Sequence, residues 1–424
     1  MLTVKYIKEN YDLVIQGLEK KRFKSINLIK EVIDVDNYRK TSQKNLDDAQ
    51  AELNNISKVI GELFREGKKD DADRAKRKTG DLKEEIKLLG EKLKESEVAL
   101  EKLLVQIPNI PHVSVPAGGG ADDNEIIRSG GEIVKSIDGA LPHWELTKKY
   151  DIIDFELGVK ITGAGFPVYK GKGARLQRAL INFFLDEAGK QGFMEVQPPI
   201  VVNEESGFGT GQLPDKEGQM YHMEVDNLYL IPTAEVPVTN IYRDVIVEEK
   251  ELPIKNCAYT PCFRREAGSY GKDVRGLNRL HQFDKVEIVC IALPEKSYEI
   301  LETMVKYVES LIQKLELPYR ILRLCGGDLS FTSALTFDFE VWSSAQERWL
   351  EVSSVSNFES FQANRLKLRY RDLETKKTVL AHTLNGSALA LPRIVAAMLE
   401  NNQTPDGIKI PKVLVPYIGF DILD

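Results

Sequence analysis

The chain has 424 residues, which is long enough for two or three folded units that each bury a core of their own. Apolar residues make up 42% of the chain and charged residues 29%, a balance that excludes the disordered, collagen-like and membrane-embedded classes of protein. Acidic residues outnumber basic residues by 65 to 58, so the net charge is −7 and a polyanionic partner would have to bind a local basic patch.

The cellular compartment is indicated by features that the sequence lacks. No run approaches the roughly 18 to 20 apolar residues of a membrane span, and residues 1–10 lack the apolar stretch of a secretory signal. The four cysteines form no C-x-x-C pair, and five histidines are available to complete a metal cluster. We therefore expect a cytoplasmic protein with no membrane partner, no disulfide and no structural zinc.

The first third of the chain carries two seams of apolar residues at coiled-coil spacing. The first seam combines two series with seven-residue steps, Leu46, Leu53, Ile60 and Ala49, Ile56, Leu63. The second seam is interrupted at Ser96 and consists of Leu82, Ile86, Leu89, Leu93, Leu100 and Leu103. Between the seams, Gly67 can end one helix and reverse the chain. The pattern predicts an antiparallel α-helical coiled-coil hairpin over about residues 37–104, in which each stripe covers the other.

A compositional break follows this hairpin. Residues 107–111 contain two prolines, and residues 116–120 read Pro-Ala-Gly-Gly-Gly. Proline followed by a glycine run ends helical continuity and favours a flexible or extended connector. We therefore expect an N-terminal domain over residues 1–110, a linker over 111–125 and a second domain over 126–424.

The periodicities of the second domain indicate an α+β fold. Residues 173–189 carry a helical apolar stripe that includes Leu180 and Phe184, whereas residues 336–342 alternate between polar and apolar as a half-buried strand does. Strand follows strand around residues 255–293, which predicts a largely antiparallel sheet flanked by helices. The sequence has no G-x-x-x-x-G-K-[ST] or G-x-G-x-x-G loop that would support a parallel nucleotide-binding sheet.

A first polar cluster lies at the end of a strand-like segment. This segment ends in Arg264, Arg265 and Glu266, and after the loop Tyr270–Gly276 the chain returns through a second strand that carries Phe283. Arg264 could bind a phosphate or carboxylate with two parallel hydrogen bonds, and Phe283 could stack under a purine. A surface ion pair beside a core phenylalanine would give the same pattern.

Further carboxylates stand in apolar or proline-bounded segments. Glu287 lies inside an apolar run, where an unpaired charge would cost several kcal/mol, so it should meet a cation or a hydroxyl; a structural lysine is an equally open partner. In an extended conformation, Thr233 and Glu235 would point to the same side and suit a ligand ammonium group.

A third cluster combines a strand with a predicted helix. The strand carries Glu351, and the sequence Asn385-Gly386-Ser387 reads as the start of a helix with Arg393 in its opening turns. The arginine offers a cation for phosphates and the glutamate an anion for Mg²⁺. A capped amphipathic helix with a solvent-exposed arginine would also explain the pattern.

Together these clusters resemble the second and third signature motifs of class II aminoacyl-tRNA synthetases. The resemblance is closest to the seryl-tRNA synthetase family and covers essentially the whole chain. The stretches that carry it, besides the helical hairpin, are Gly211–Pro214, Thr233–Glu235, Phe263–Val289 and Glu351–Phe358. The resemblance implies a class II antiparallel sheet as the catalytic domain over residues 126–424, preceded by a tRNA-binding domain.

The resemblance also implies an ATP-dependent serine–tRNA ligase, which forms seryl-adenylate from L-serine and ATP, releases pyrophosphate and passes serine to the 3′ end of tRNA(Ser). Its implied catalytic residues are Arg264, Glu351 and Arg393, and its implied Mg²⁺ ligands are Glu351 and Ser354. The implied ATP-binding residues are Arg264, Arg265, Glu266, Leu280, Phe283, Glu351, Val352, Ser353, Ser354 and Arg393. The implied serine-binding residues are Thr233, Ala234, Glu235, Arg264, Glu287, Asn385 and Ser387.

Two macromolecular partners follow from the same resemblance. The helical arm would bind the long variable arm of the tRNA through cations near its tip, namely Lys68, Lys69, Arg74, Lys76, Arg77, Lys78 and Lys83. Residues 175–189 and 195–199 resemble the first class II motif and imply a homodimer. Whether a selenocysteine tRNA is charged as well stays open.

Two features depart from the family pattern or require special geometry. The family usually has glycine at the position of Ala388 and often at that of Pro392, which puts the placement of Arg393 in question. Glu351 and Ser354 would face opposite sides of a regular strand, so joint binding of Mg²⁺ requires a bulge or a strand end.

Two other functions fit part of the sequence. One is an adenylating enzyme that loads an amino acid onto a carrier protein, and the two heptad seams count against it because such enzymes lack a long arm. The other is a catalytically silent nucleic-acid-binding or scaffold protein, which the joint presence of the charged cluster residues disfavours.

Overall fold

The structure is a computed structural model that describes residues 1–133, 139–215, 218–266 and 275–424. The described residues form two compact units. The first comprises residues 1–19 and 23–108, and the second comprises residues 20–22 and 109–424. Most of the predicted loop Tyr270–Gly276 lies outside the described residues.

The first unit is helical. Its helices are α1 (Val4–Glu9), α2 (Tyr11–Lys20), α3 (Asn27–Arg65) and α4 (Lys69–Leu104). The antiparallel hairpin predicted from the two seams is confirmed, because α3 and α4 pack along their length and a turn containing Gly67, with φ +76°, joins them. The helix α3 begins ten residues before residue 37, where the predicted hairpin starts. Among the described residues, no helix has both the length and the apolar character that crossing a bilayer requires.

The interruption of the second seam at Ser96 is tolerated by a local hydrogen bond. Ser96 is buried between the two long helices, and its hydroxyl donates to the backbone oxygen of Leu93 at 2.6 Å. A buried hydroxyl with a partner costs little, so the seam continues to Leu100 and Leu104.

The second unit contains the following helices and strands. Its helices are α5 (His143–Lys149), α6 (Phe155–Ile161), α7 (Gly171–Lys190), α8 (Glu204–Thr210), α9 (Glu235–Asn240), α10 (Ser297–Lys314), α11 (Ser360–Leu366), α12 (Leu391–Asn401) and α13 (Val415–Ile418). Its strands are β1 (Glu125–Gly130), β2 (Ile153–Asp154), β3 (Val168–Tyr169), β4 (Met194–Glu195), β5 (Val201–Val202), β6 (His222–Met223), β7 (Leu228–Leu230), β8 (Ile246–Glu248), β9 (Ile254–Phe263), β10 (Gln282–Ala292), β11 (Tyr319–Arg323), β12 (Leu335–Ser343), β13 (Arg348–Asn357), β14 (Arg369–Arg371), β15 (Thr378–Leu380), β16 (His382–Ala390), β17 (Gln403–Thr404), β18 (Gly407–Lys409) and β19 (Ile422–Leu423).

One large sheet organises this unit. Its eight strands follow the order β1-β11-β12-β13-β16-β10-β9-β4, and every neighbouring pair is antiparallel except β4 and β9. The other described strands form four small sheets of two or three strands. The prediction of an α+β fold with a largely antiparallel sheet flanked by helices is confirmed.

The two faces of the central strand β10 have different roles. Ile288 and Cys290 belong to the main hydrophobic core, together with Phe184 of α7. Side chains alternate along a strand, so Glu287 and Val289 point to the other face, where Val289 packs in a separate small cluster. The strand therefore stabilises the core with one face and supplies polar side chains with the other.

The predicted helix start at Asn385-Gly386-Ser387 is wrong. These residues lie inside β16, and helix α12 begins at Leu391 with Pro392 in its first turn. The strand pairs with β10 on one side and with β13 on the other, and these ladder hydrogen bonds outweigh the local helix-start signal. The predicted end of this helix near Asn401 is confirmed.

Candidate active site

A cleft of about 730 Å³ opens on the polar face of the large sheet. Strands β10, β13 and β16, the starts of α9 and α12 and the segment that follows β9 contribute to its walls. Of the residues implied by the resemblance, those that line it are Thr233, Glu235, Arg264, Glu266, Leu280, Phe283, Glu287, Glu351, Val352, Ser353, Ser354, Asn385, Ser387 and Arg393.

Two of the implied residues lie elsewhere. The side chain of Ala234 is fully buried and packs against Val238 and Val289, not into the cleft. Arg265 is exposed, and its guanidinium lies 5.6 Å from the centre of the Tyr221 ring. Neighbouring residues of an extended segment point in opposite directions, which separates Arg265 from Arg264.

Arg264 lines the cleft and is held in a defined orientation. Its Nε donates to the backbone oxygen of Pro232 at 3.3 Å, and its guanidinium lies 5.3 Å from the centre of the Phe283 ring. The ring and the arginine meet because Phe283 is paired with Cys262 in the register of β9 and β10. A half-buried arginine that already sits over an aromatic face loses little freedom when it binds an anion.

Glu287 has the lysine partner that the sequence left open. It forms an ion pair with Lys285, and the Lys285 Nζ also donates to the Thr233 hydroxyl at 2.8 Å. The Thr233 hydroxyl in turn donates to Glu287 at 3.3 Å. Both charged side chains are buried, with 6% of Lys285 and 2% of Glu287 exposed, yet both border the cleft.

Glu235 stands beside this pair. The extended conformation predicted for Thr233–Glu235 is wrong, because Glu235 begins α9 and its backbone N–H donates to the Thr233 hydroxyl at 3.3 Å. Both side chains nevertheless line the cleft. Gln362 Nε2 donates to Glu235 Oε1 at 2.6 Å, and the opposite end of that amide accepts from the Thr383 hydroxyl at 2.7 Å. Burial and the neighbouring Glu287 charge raise the pKa of Glu235 to about 7.

The strand β13 contains the bulge that joint metal binding requires. Phe339 of β12 pairs with Ser353, and the next residue of β12 pairs with Glu351, so that Val352 has no opposite residue. One extra residue reverses the alternation and brings Glu351 and Ser354 to the same side. The Asp338 carboxylate accepts a hydrogen bond from Ser354, and burial together with the Glu351 charge raises the pKa of Asp338 well above its usual range.

Arg393 reaches the cleft from the first turn of α12. Its Nε donates to the backbone oxygen of Asn278 at 3.0 Å, and its Nη1 donates to the backbone oxygen of Glu351 at 2.7 Å. Pro392 fits this position because a backbone N–H in the first turn of a helix has no partner within the helix, so the N–H that proline lacks is not required. Ala388 is fully buried in β16, and neither departure from the family pattern turns Arg393 away from the cleft.

Comparisons with known proteins agree over both units. The family model "Seryl-tRNA synthetase N-terminal domain" matches residues 1–111, and the model "tRNA synthetase class II core domain (G, H, P, S and T)" matches residues 220–402. The serine–tRNA ligase of Salinibacter ruber is 52% identical over 99% of this chain and 98% of its own length. The chain belongs to the seryl-tRNA synthetase family. The family and its enzyme class, ATP-dependent serine–tRNA ligase, are as the sequence predicts.

Solved structures of the family share the whole fold. The seryl-tRNA synthetase of Pyrococcus horikoshii, solved with ATP, superposes with a TM-score of 0.93 at 34% identity and covers 100% of this chain and 99% of its own. The cytoplasmic serine–tRNA ligase of Naegleria fowleri, solved with AMP, has a TM-score of 0.88 at 27% identity over 100% and 99%. The class II architecture predicted from the sequence is confirmed.

Several polar residues of the site were not predicted. Lys285 could have been found, because it lies two residues before Glu287 and therefore on the same face of the strand. Asp338 and Gln362 carry no local signal, since strand pairing and helix packing far along the chain bring them to Ser354 and Glu235.

The buried ion pair generates a stability prediction. Replacing Lys285 by methionine leaves the Glu287 charge buried without its partner, and we expect the free energy of unfolding to fall by about 3–5 kcal/mol. Thermal unfolding of the variant Lys285→Met and of the double variant Lys285→Met/Glu287→Leu measures the change in the free energy of unfolding. The double variant should recover most of the loss; equal losses in both variants would show that the pair does not account for the effect.

Proposed function

We propose that this cleft binds ATP and L-serine side by side and joins them into seryl-adenylate, and that the enzyme then transfers serine to the 3′ end of tRNA(Ser). The observation that carries the proposal is that one cleft is lined both by two arginines, Arg264 and Arg393, and by two buried carboxylates, Glu235 and Glu287. A triphosphate is complementary to the arginines, and an ammonium group is complementary to the carboxylates.

The nucleotide subsite is proposed around Phe283. Adenine stacks on this ring, with Leu280 beside it and Glu266 accepting from its amino group. Glu266 is oriented for this by Arg279, whose Nε lies 3.3 Å from the Glu266 carboxylate. Arg264 holds the α-phosphate and the serine carboxylate, and it neutralises the charge that grows in the transition state.

The reaction needs no protein nucleophile. Arg393 holds the γ-phosphate and keeps the triphosphate bent, so that pyrophosphate leaves in line with the attacking serine carboxylate. In that step the carboxylate oxygen forms a bond to the α-phosphorus as the bond from phosphorus to the pyrophosphate oxygen breaks. Catalysis then consists of positioning and electrostatic stabilisation by groups that are already oriented.

The serine subsite is proposed beside the buried carboxylates of the cleft. The ammonium and hydroxyl groups of serine bind among Thr233, Glu235, Glu287, Asn385 and Ser387. Glu287 lies directly across from Ser387 in the strand register, which brings their side chains to one spot. Alanine would leave these buried polar groups without a partner, a loss that can reach about 10⁴-fold to 10⁵-fold in discrimination. Threonine is excluded by the fit of the pocket, where a methyl group is worth about 1–3 kcal/mol.

The residues of β13 fit a Mg²⁺ ion. Glu351 and Ser354 offer oxygen ligands from the same side of the strand, and Asp338 Oδ1 is buried with no hydrogen-bond partner among the described residues. Mg²⁺ prefers oxygen ligands and is often held by one or two carboxylates together with substrate phosphates. When bound, the ion would neutralise phosphate charge; Glu351 and Ser354 would hold it, with Asp338 behind them.

The remaining assignments of partners and domains are also proposals. Residues 1–110 bind tRNA(Ser) through the helical arm, residues 111–125 act as the linker, and residues 126–424 catalyse the reaction. The exposed cations along the tip of α4 support the first of these. Two copies associate through α7 and residues 195–199, and the enzyme works in the cytoplasm, where its tRNA is charged.

The proposal predicts serine-dependent exchange between pyrophosphate and ATP. Replacing Arg264 by glutamine removes a donor to the developing charge, and we expect the exchange rate to fall by about 10²-fold to 10³-fold. The matched control is Arg371→Gln, an exposed arginine 3.9 Å from Glu248 and outside the cleft, which should keep the wild-type rate.

Three results of this assay, combined with an aminoacylation assay on tRNA(Ser), would count against the proposal. A wild-type enzyme that exchanges without serine, or not at all, would reject the adenylation step. Exchange with serine but no transfer to tRNA would favour the carrier-protein enzyme.

The raised pKa of Glu235 predicts a pH dependence. Below about pH 7 the free enzyme holds Glu235 protonated, whereas the serine ammonium requires the carboxylate. Binding must then release a proton, so kcat/KM for serine should fall by up to about tenfold for each pH unit below 7. Exchange assays at saturating ATP from pH 5.5 to 8 measure kcat/KM for serine as a function of pH. In the variant Glu235→Gln the residual activity should lose this dependence; the same slope in both enzymes would assign it to another group.

The basic tip of the arm predicts separable binding. Lys69, Lys76 and Lys83 are exposed and recur at seven-residue spacing along α4. Changing all three to glutamine should weaken tRNA(Ser) binding and lower the slope of log K against log salt by about 0.7 to 0.9 for each phosphate that is no longer neutralised. Serine-dependent exchange should stay at the wild-type rate. The triple variant Lys250→Gln/Lys376→Gln/Lys377→Gln is the control, and an equal loss of exchange in the arm variant would refute this role of the arm.

A further inference from the structure

A buried histidine and glutamate lie behind the cleft and have no part in the function proposed above. His143 begins α5 and has no exposed surface, and Glu400 near the end of α12 is 2% exposed. The His143 Nδ1 lies 2.7 Å from Glu400 Oε1, and the His143 backbone N–H donates to the same oxygen at 2.9 Å. Ser343 donates its hydroxyl to the other carboxylate oxygen.

The hydrogen bonds define which nitrogen of His143 carries the proton. The backbone N–H of Leu277 points at Nε2 at 2.8 Å. A backbone N–H can only donate, so Nε2 must accept and Nδ1 must donate its proton to Glu400. The neutral ring therefore connects the Glu400 carboxylate to the backbone at Leu277. Gly276 permits the contact, because a Cβ there would lie 2.3 Å from Nε2.

A second connection runs from Glu400 to the next residue. Gln346 Nε2 donates to Glu400 Oε1 at 3.0 Å, and Gln346 Oε1 accepts from Asn278 Nδ2 at 2.9 Å. Glu400 thus fixes the backbone at Leu277 through His143 and the side chain of Asn278 through Gln346.

The network returns to the cleft at Arg393. The backbone oxygen of Asn278 accepts from Arg393 Nε at 3.0 Å, and both residues line the cleft. Arg393 and Glu400 lie seven residues apart on α12 and hence on nearly the same face of the helix. The hydrogen bonds form a closed ring from α12 through α5 and residues 277–278 back to α12.

We propose that His143 and Glu400 are positioning residues for ATP, which hold the carbonyl group of Asn278 where it orients the Arg393 guanidinium. This inference rests on the proposed function, because the proposed function assigns the triphosphate to Arg393. If the pair only attached α5 to α12, its loss would lower the stability of the protein and would not weaken ATP binding more than serine binding.

The kinetic test compares ATP with serine. One variant is His143→Asn, which breaks the contact to Leu277. The other is Gln346→Leu, which removes the link to Asn278; Gln346 lies in a turn and is half-buried, so we expect this variant to fold. In serine-dependent exchange we expect the KM for ATP to rise by about tenfold, and at most about 100-fold, as for a displaced positioning group. The KM for serine should change by less than twofold. In an Arg393→Ala background, Gln346→Leu should cause no further loss, because its effect passes through Arg393.

The matched control is His382→Gln. His382 is partly buried at the start of β16 and bonds to the Ser297 hydroxyl at 2.8 Å. Its replacement should lower the melting temperature without changing the ratio of the two KM values. Three results would overturn the inference. These are equal changes in the KM for ATP and the KM for serine, wild-type kinetics in both variants, and a further loss of activity when Gln346→Leu is added to Arg393→Ala. Calorimetric binding of ATP to the same full-length variants gives a readout without catalysis. A wild-type enzyme with no exchange would thus reject the proposed function, while the ATP affinities still decide the inference.

Discussion

The candidate active site depends on the register of four neighbouring strands. In β10 the residues that alternate into the core include Ile288 and Cys290, and those that alternate into the cleft include Phe283 and Glu287. A slip of one residue would exchange these two sets, placing carboxylates in the core and apolar side chains in the cleft. The burial that stabilises the sheet therefore also fixes the positions of the polar groups, and the fold and the site cannot be separated energetically.

Within this frame the cleft gathers charges that a fold selected for stability alone would avoid. Lys285 and Glu287 form a buried ion pair whose desolvation can exceed its attraction, and Glu235 stands beside them with a raised pKa. Asp338 is crowded by Glu351 in the same way. A cation that binds between these acidic groups relieves their mutual repulsion, whereas the arginines favour an anion. Such fixed charges cost the least reorganisation when a substrate arrives.

Regular periodicity allowed much of this to be predicted, and long-range pairing explains the errors. Local sequence patterns predicted the helical hairpin, the helix with Leu180 and Phe184 and the antiparallel sheet. Each of these patterns lies within one continuous stretch of the chain. The helix start at 385–387 was wrong because β16 is held by strands on both sides, and sheet pairing overrides a local signal. The bulge at Val352, the partner of Glu235 and the ring through His143 depend on contacts between residues far apart in sequence, which no local pattern encodes.

The central claim is that a single cleft receives both substrates, with the nucleotide at the arginines and the amino acid at the carboxylates. It is tested most directly by a crystal structure of the full chain with a non-hydrolysable analogue of seryl-adenylate. We expect the adenine ring on Phe283, the group that replaces the phosphate against Arg264, and the ammonium group at Glu235 and Glu287. An analogue bound outside the cleft, or bound within it with Arg264 and Glu287 out of contact, would contradict the account.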